Sequence, residues 1–240
     1  MARPLRYVPP DSLVEVTCRT LHGRFLLRPS RDLNDIVYGL IARAARLYDV
    51  GVCSFKVLSN HYHLLLLPQD AERLAAFMGY FNGNLAKEAG RLHCWRERFW
   101  GRRYHHSVVS DEPEAQVARL RYVLAQGCKE GLVRRPADWP GASSVEPQLT
   151  GKSFRGLWFS RTAEFEARRR GERPGKYEYV SEETLELTAL PCWSALSREE
   201  IGERTAELVR DIEAETRLRL KQEDKSPMGG GFQVESLRDE

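Results

Sequence analysis

The sequence predicts an α+β protein: an antiparallel β-sheet with helices packed on it, followed by a helical C-terminal extension. Three observations predict this. Short strand-length stretches recur at 13–20, 52–58, 61–67 and 105–109, the first with apolar and polar residues alternating at period two. Longer stretches with apolar residues at helical spacing fall at 32–48, 71–92 and 112–130. Several connections between neighbouring strands are short enough only for hairpins, which makes those strands antiparallel. The 240 residues, 42% apolar and 30% charged, allow one sizeable core domain plus an extension. No apolar run approaches the roughly 20 residues of a membrane span. The N-terminus lacks the apolar core of a signal peptide, so a cytoplasmic location is expected.

The elements follow in order. Residues 13–20 place Val14, Val16 and Cys18 on one face of a half-buried strand, with Glu15, Thr17 and Arg19 on the other. His22-Gly23 reads as a turn, with a second strand pairing back over 24–27. Ser30 caps a helix over 32–48, with Ile36, Leu40, Ala44 and Leu47 on one face. Two strands, 52–58 and 61–67, are joined by Ser59-Asn60. A helix over 71–92 carries the stripe Leu74, Phe77, Met78, Phe81 and Leu85. After a basic, aromatic stretch and a short strand at 105–109, Asp111 or Glu112 opens a third helix. Pro113 stands in its first turn, and Gly131 stops it near residue 130. The expected order is β-β-α-β-β-α-β-α, with the helices on one face of the sheet, in a core domain spanning 1–135.

Pro, Gly and Ser mark 136–153 as a linker. Residues 154–225 read as mostly helical, with an Arg-rich helix at 161–170. A last helix runs from Ser197, with Glu200 at the capping-box position, to about residue 222 and is charged nearly all round. The stretch 226–240, with three consecutive glycines, reads as a disordered tail. The five cysteines are scattered and form no CxxC pair, which suggests neither a zinc knuckle nor a disulfide framework.

Net charge is only +3, but it is unevenly spread: Lys87, Arg91, Arg96, Arg98, Arg102 and Arg103 are opposed locally by Glu88 and Glu97 alone. Such a local field suits a polyanion. In the run from Trp95 to Tyr104, Trp95 and Trp100 alternate with these arginines, as on surfaces that stack single-stranded bases and neutralise phosphates. The same pattern also fits aromatic core anchors with a solvated basic rim. Arg19, on the polar face of the first strand, is a similar candidate.

Two further groups carry chemistry. His61 and His63 flank Tyr62 in a strand, so the two imidazoles share a face about 7 Å apart along the chain. They can hold one cation or simply form a polar patch. On the third helix, Val117, Leu120 and Leu124 define a buried stripe. Tyr122 lies ~160° from it, with Gln126 one turn further on the same side. Arg119 and Lys129 flank the pair. A surface tyrosine would show the same pattern. His105 and His106 lie in the short strand nearby and could add a fourth ligand.

The stretch Ser59-Asn60-His61-Tyr62-His63-Leu64-Leu65-Leu66 resembles the His-hydrophobe-His strand of the single-strand DNA transposases of the HUH superfamily. Arg119-Leu120-Arg121-Tyr122-Val123-Leu124-Ala125-Gln126, about 60 residues further on, resembles their catalytic helix. Lys129-Glu130-Gly131-Leu132-Val133 and Phe99-Trp100-Gly101-Arg102-Arg103-Tyr104 resemble the REP-associated tyrosine transposases within that group. The resemblance spans about residues 10–135. It departs in one respect: REP-associated members carry Asn followed by Pro at the amide ligand position. Here Gln126-Gly127 stands there, and glutamine is typical of the IS200-like insertion-sequence relatives.

The resemblance implies a ferredoxin-like HUH nuclease fold for 1–135 and Tyr122 as the nucleophile. It implies Mg²⁺ or Mn²⁺ held by His61, His63 and Gln126, and a substrate of single-stranded or hairpin-flanking DNA. Arg19, Trp95, Arg96, Arg98, Trp100, Arg102, Arg103, Arg119 and Lys129 are the expected DNA contacts. The protein is then a monomer or homodimer. Two other readings share the pattern. One is a non-catalytic single-strand or hairpin DNA binder derived from such an enzyme. The other is a replication nickase or relaxase, usually a larger protein with two tyrosines or three histidines.

Overall fold

The computed structural model describes residues 7–175 and 177–227. The first half follows the order β1 (Val14–Arg19), α1 (Arg31–Tyr48), β2 (Val50–Val57), β3 (His61–Pro68), α2 (Ala71–Leu92), β4 (His105–Val108) and α3 (Pro113–Leu124). The four strands form one antiparallel sheet in the order β2-β3-β1-β4. This is the βαββαβ arrangement of ferredoxin-like folds, with α3 added. Side chains set the helix starts: Ser30 Oγ accepts from Leu33 N at 3.1 Å, and Asp70 Oδ1 accepts from Arg73 N at 2.7 Å.

The expected strand at 24–27 does not form. β1 lies inside the sheet with both edges already paired, to β3 and β4, so nothing remains for a returning strand. Instead His22 and Gly23, with φ of 51° and 71°, turn the chain, and Leu26 and Leu27 are buried below it.

The helices also do not share one face. α1 and α2 cover the side of the sheet that carries Val14, Val16, Cys18, Val52, Phe55, Tyr62, Leu64 and Leu66. α3 lies on the opposite side, where Leu120 and Leu124 pack on Leu13, Cys53, Leu58 and Leu65. Both faces are therefore partly apolar. The second is apolar at Leu13, Cys53, Leu58, Leu65 and Val109 and polar at Glu15, Thr17, Arg19, His61 and His63, and this leaves an open corner beside α3.

The C-terminal part continues with α4 (Val145–Thr150), β5 (Phe154–Phe159), α5 (Arg161–Arg169), β6 (Val180–Leu185) and α6 (Arg198–Gln222). Two expectations are corrected here. Residues 136–153 are not a free linker: they run along the open edge of β2. Val57 N donates to Ala142 O at 2.9 Å, Ser144 N to Phe55 O at 3.0 Å, and buried Trp139 Nε1 to Val57 O at 2.9 Å. Thr188 N adds a bond to Val52 O at 2.9 Å. An exposed strand edge is a template for aggregation, and this segment covers it. Its prolines and glycines serve sharp turns in packed chain, not mobility.

The following part is also less helical than expected, because β5 and β6 form an antiparallel hairpin on the outer side of α1. The close approach depends on two glycines. A Cβ on Gly156 would lie 2.0 Å from Gly39 N, and one on Gly39 would lie 2.3 Å from Leu157 O. Around this point Arg43 stacks over Trp158 at 3.5 Å and pairs with Glu183 at 2.5 Å. Short alternation in the hairpin is hard to read from sequence, since only one of its faces is half-covered. α6 begins on Ser197 with a capping box closed by Glu200. Gly202, Thr205, Val209, Ile212, Thr216 and Leu220 form its narrow buried stripe. It packs on α4 and α3, tied by Arg121–Glu215 at 2.5 Å and Arg219 Nη1 to Lys129 O at 2.9 Å. Of the tail expected over 226–240, residues 228–240 lie outside the described residues. No helix among the described residues is long and apolar enough to cross a membrane.

Gly156→Val tests the packing of hairpin on helix. The added side chain meets backbone, which cannot rotate away, so the hairpin must lift off α1. The expected cost is about 1–3 kcal/mol, read as a lower urea midpoint. An unchanged midpoint would show that the two backbones are not held together.

Candidate active site

The open corner beside α3 is a cleft of about 640 Å³. Its floor is the polar face of the two central strands. Register sets Arg19 opposite His61, Thr17 opposite His63 and Glu15 opposite Leu65, while β4 brings His105 opposite Thr17. Because side chains alternate, the burial of Tyr62, Leu64 and Leu66 under α1 and α2 turns His61 and His63 into this cleft. Tyr62 is anchored by its hydroxyl, which donates to Asn82 Oδ1 at 2.6 Å.

The two histidine rings stand 5.2 Å apart, centroid to centroid, and the Tyr122 ring lies 5.5 Å from that of His63. Both imidazoles are held at Nδ1. His63 Nδ1 is 2.9 Å from Glu15 Oε1, and a carboxylate only accepts, so His63 carries its proton on Nδ1. His61 Nδ1 is 2.7 Å from Asn60 Oδ1. The orientation of that amide is set by its nitrogen, which donates to Gly23 O at 3.1 Å. His61 is therefore also the Nδ1–H tautomer. In each ring Nε2 is left as the basic nitrogen, the arrangement used by metal-ligating histidines. Burial, then the neighbouring His63 and Arg19, push His61 down to about 4, so it is neutral at physiological pH. Burial raises the Glu15 carboxyl, but the hydrogen bond from His63 and the charge of Arg119 outweigh it and hold Glu15 below the usual carboxylate range.

Tyr122 projects from the flank of α3 that faces the sheet corner. Arg119 and Lys129 are beside its ring, at 5.6 Å and 4.7 Å from the centroid. Arg119 also pairs with Glu15. Gln126 lines the same cleft but not from the helix, which ends at Leu124 and not near residue 130. Gly127, with φ of 88°, breaks the helix, and hydrogen-bonded turns continue to Leu132. Gln126 is only 2% exposed, and its Nε2 donates to Tyr122 O at 3.1 Å. That bond fixes the side-chain amide to the backbone of the tyrosine itself.

The basic, aromatic run divides. Arg102 and Arg103 line the cleft with Arg19. Trp100 does not: its ring packs edge-on against Tyr62 at 5.6 Å, and its Nε1 donates to Asn82 O at 3.0 Å. Phe99 is buried in the core, and the Gly101 N bond to Arg19 O at 3.0 Å ties the run to the end of β1. Arg96 and Arg98 are exposed and outside the cleft lining. Trp95 is half-buried, 5.2 Å from the Arg24 guanidinium. The structure thus brings together His61, His63, Tyr122, Gln126, Arg19, Arg102, Arg103, Arg119 and Lys129. It leaves Trp95, Arg96, Arg98 and Trp100 apart. Among the described residues no group of three or more His, Cys, Asp and Glu side chains could hold a metal, so His105 does not complete such a cluster. His106 takes the alternate face of β4, with Val16. Sequence reasoning missed Glu15, Asn60 and Glu130 in this cleft. Glu15 was legible only as a charged residue on a strand face, and its two partners come from distant segments.

The family described as "Transposase IS200 like" matches residues 27–126. That span holds His61, His63, Tyr122 and Gln126. No curated protein matches the chain. Solved structures similar to the chain include the following two. A REP-associated tyrosine transposase, solved with a REP hairpin, is 16% identical over 62% of this chain and 86% of its own, with a TM-score of 0.48. A chain from Deinococcus radiodurans R1 described as a transposase is 18% identical over 50% of this chain and 94% of its own, with a TM-score of 0.33. The matched span runs from the buried segment before α1 to the turn that carries Gln126, and over it the chain is similar to the IS200-like transposases.

Proposed function

We propose that the protein nicks and rejoins single-stranded, hairpin-flanking DNA through a 5′-phosphotyrosine on Tyr122, with a divalent cation at His61 and His63. The observation that carries this reading is the placement of the Tyr122 ring 5.5 Å from His63, a histidine whose Nδ1 is already engaged. The donor set fits a cation such as Mg²⁺ or Mn²⁺. Two imidazoles engaged at Nδ1 turn Nε2 toward the cleft, and the Gln126 amide, held from its nitrogen side, offers an oxygen. When bound, the ion would polarise the scissile phosphate and offset its charge.

The chain's own residues account for the rest. Tyr122 Oη attacks phosphorus, the P–O3′ bond breaks, and the phosphate stays on the tyrosine. The departing 3′ oxygen takes up a proton to become a hydroxyl, and the phenol proton is lost to solvent. Arg119 and Lys129, beside the ring, stabilise the negative charge that forms on Oη. Attack by a second 3′-hydroxyl reverses the step and joins strands, because the phosphotyrosine conserves the bond. Arg19, Arg102 and Arg103 suit a phosphate backbone crossing the cleft.

Two experiments test this. A labelled single strand flanking a hairpin is incubated with Mn²⁺ and resolved under denaturing conditions. Wild type is expected to give a covalent adduct, Tyr122→Phe none, and His61→Ala, His63→Ala or chelator a loss of about 100-fold or more. An adduct that persists in Tyr122→Phe would overturn the nucleophile, and activity that survives chelation would overturn the metal. Hairpin binding without an adduct in any protein would leave a non-catalytic binder. The second experiment is a salt titration of binding. Arg102→Ala/Arg103→Ala should flatten the slope of log K against log salt by about 1.4, at ~0.7 for each single-strand phosphate no longer neutralised. Arg96→Ala/Arg98→Ala, outside the cleft, should leave it unchanged. The reverse ranking would move the DNA path to the α2 end of the molecule.

A further inference from the structure

Glu15 is a buried carboxylate that the proposed chemistry does not use. It is 6% exposed, on the polar face of β1 beside the cleft. Its two oxygens have different partners on different elements. Oε1 accepts from His63 Nδ1 on β3 at 2.9 Å, and Oε2 accepts from Arg119 Nη1 on α3. Arg119 stands one helical turn before Tyr122, with its guanidinium 5.6 Å from the tyrosine ring. One side chain therefore joins the histidine strand to the tyrosine helix. An isolated neutral imidazole takes either tautomer, whereas an acceptor at Nδ1 selects one.

We propose that Glu15 is a positioning residue: it keeps His63 in the Nδ1–H tautomer, so that Nε2 can ligate a divalent cation. Through Arg119 it also sets the Tyr122 helix against that histidine. The metal half of this inference rests on the function proposed above, while the tautomer half stands on the hydrogen bonds alone. The competing role is a structural one, in which Glu15 merely neutralises Arg119 in a buried patch.

Glu15→Leu and Glu15→Gln in the full chain, without DNA, separate the two. Long-range ¹H–¹⁵N correlation of the histidine rings reads the tautomer directly. His63 is expected as Nδ1–H in wild type, and as Nε2–H or a mixture in Glu15→Leu. Mn²⁺ binding, followed by the electron paramagnetic resonance of the free ion, should weaken about 10–100-fold in Glu15→Leu. In Glu15→Gln, which keeps an acceptor in the same volume but loses the charge, it should weaken about 10-fold. If both variants only melt at lower temperature, with the His63 tautomer and Mn²⁺ affinity of wild type, the positioning role is overturned. Should Glu15→Leu fail to fold, Glu15→Gln decides by its Mn²⁺ affinity. Should wild type bind no Mn²⁺, the metal in the proposed function fails. The tautomer in the variants then decides the role of Glu15 by itself.

Discussion

The site depends on the alternation of β3. Tyr62, Leu64 and Leu66 must be buried under α1 and α2, and their burial leaves no freedom for His61 and His63, which emerge on the other face. A slip of one residue would bury two imidazoles and expose a tyrosine and two leucines, so core packing enforces the register strongly. The same face has to be apolar enough at Cys53, Leu58 and Leu65 to dock α3, yet polar at Glu15, Thr17 and Arg19. Apolar and polar positions thus share one face, and the helix that brings Tyr122 sits where they meet. Tyrosine and histidine rings come within 5.5 Å because Leu120 and Leu124, on either side of Tyr122 in α3, need the apolar positions.

Much of this was legible in the residues. α1, α2 and α6 carry side-chain caps and regular stripes, and their ends fall where those signals stand, down to the Ser197–Glu200 box. The central strands were visible as short strand-length stretches, the shared face of His61 and His63 through spacing, and the grouping of these histidines with Tyr122 and Gln126 only through the resemblance. The misread parts have a common physical origin: their conformation is decided by distant chain. Residues 24–27 look like a strand, but β1 has no free edge. Pro and Gly in 136–153 look like a linker, but the segment bonds the rim of β2. The β5–β6 hairpin is held by the close approach of the backbone at Gly39 and Gly156, far apart in sequence. In the site, Glu15 acquires meaning only when β1, β3 and α3 are assembled. Trp100, by contrast, reads as either a stacking platform or a core anchor, and only the packing against Tyr62 decides for the anchor.

The C-terminal part reinforces the division. Trp139 and Ala142 shield one sheet edge, the hairpin covers α1, and α6 braces the turn after α3. Arg219 reaches the carbonyls of Cys128 and Lys129 there. Those turns hold Gln126 and Lys129 against Tyr122. Among the described residues, the extension therefore contributes to the geometry of the cleft without lending it a side chain. Local opening of such a brace would be felt first at the amide and ammonium groups beside the tyrosine.

The central claim is that Tyr122, and no other group, takes up the DNA. Its most direct measurement is mass spectrometry of the protein after incubation with single-stranded DNA and Mn²⁺, followed by exhaustive nuclease and protease digestion. The account predicts a 5′-nucleotide remnant on the peptide that contains Tyr122, with fragmentation placing it on the tyrosine. A remnant on another residue, or DNA cleaved in full with no covalent remnant anywhere, would contradict it.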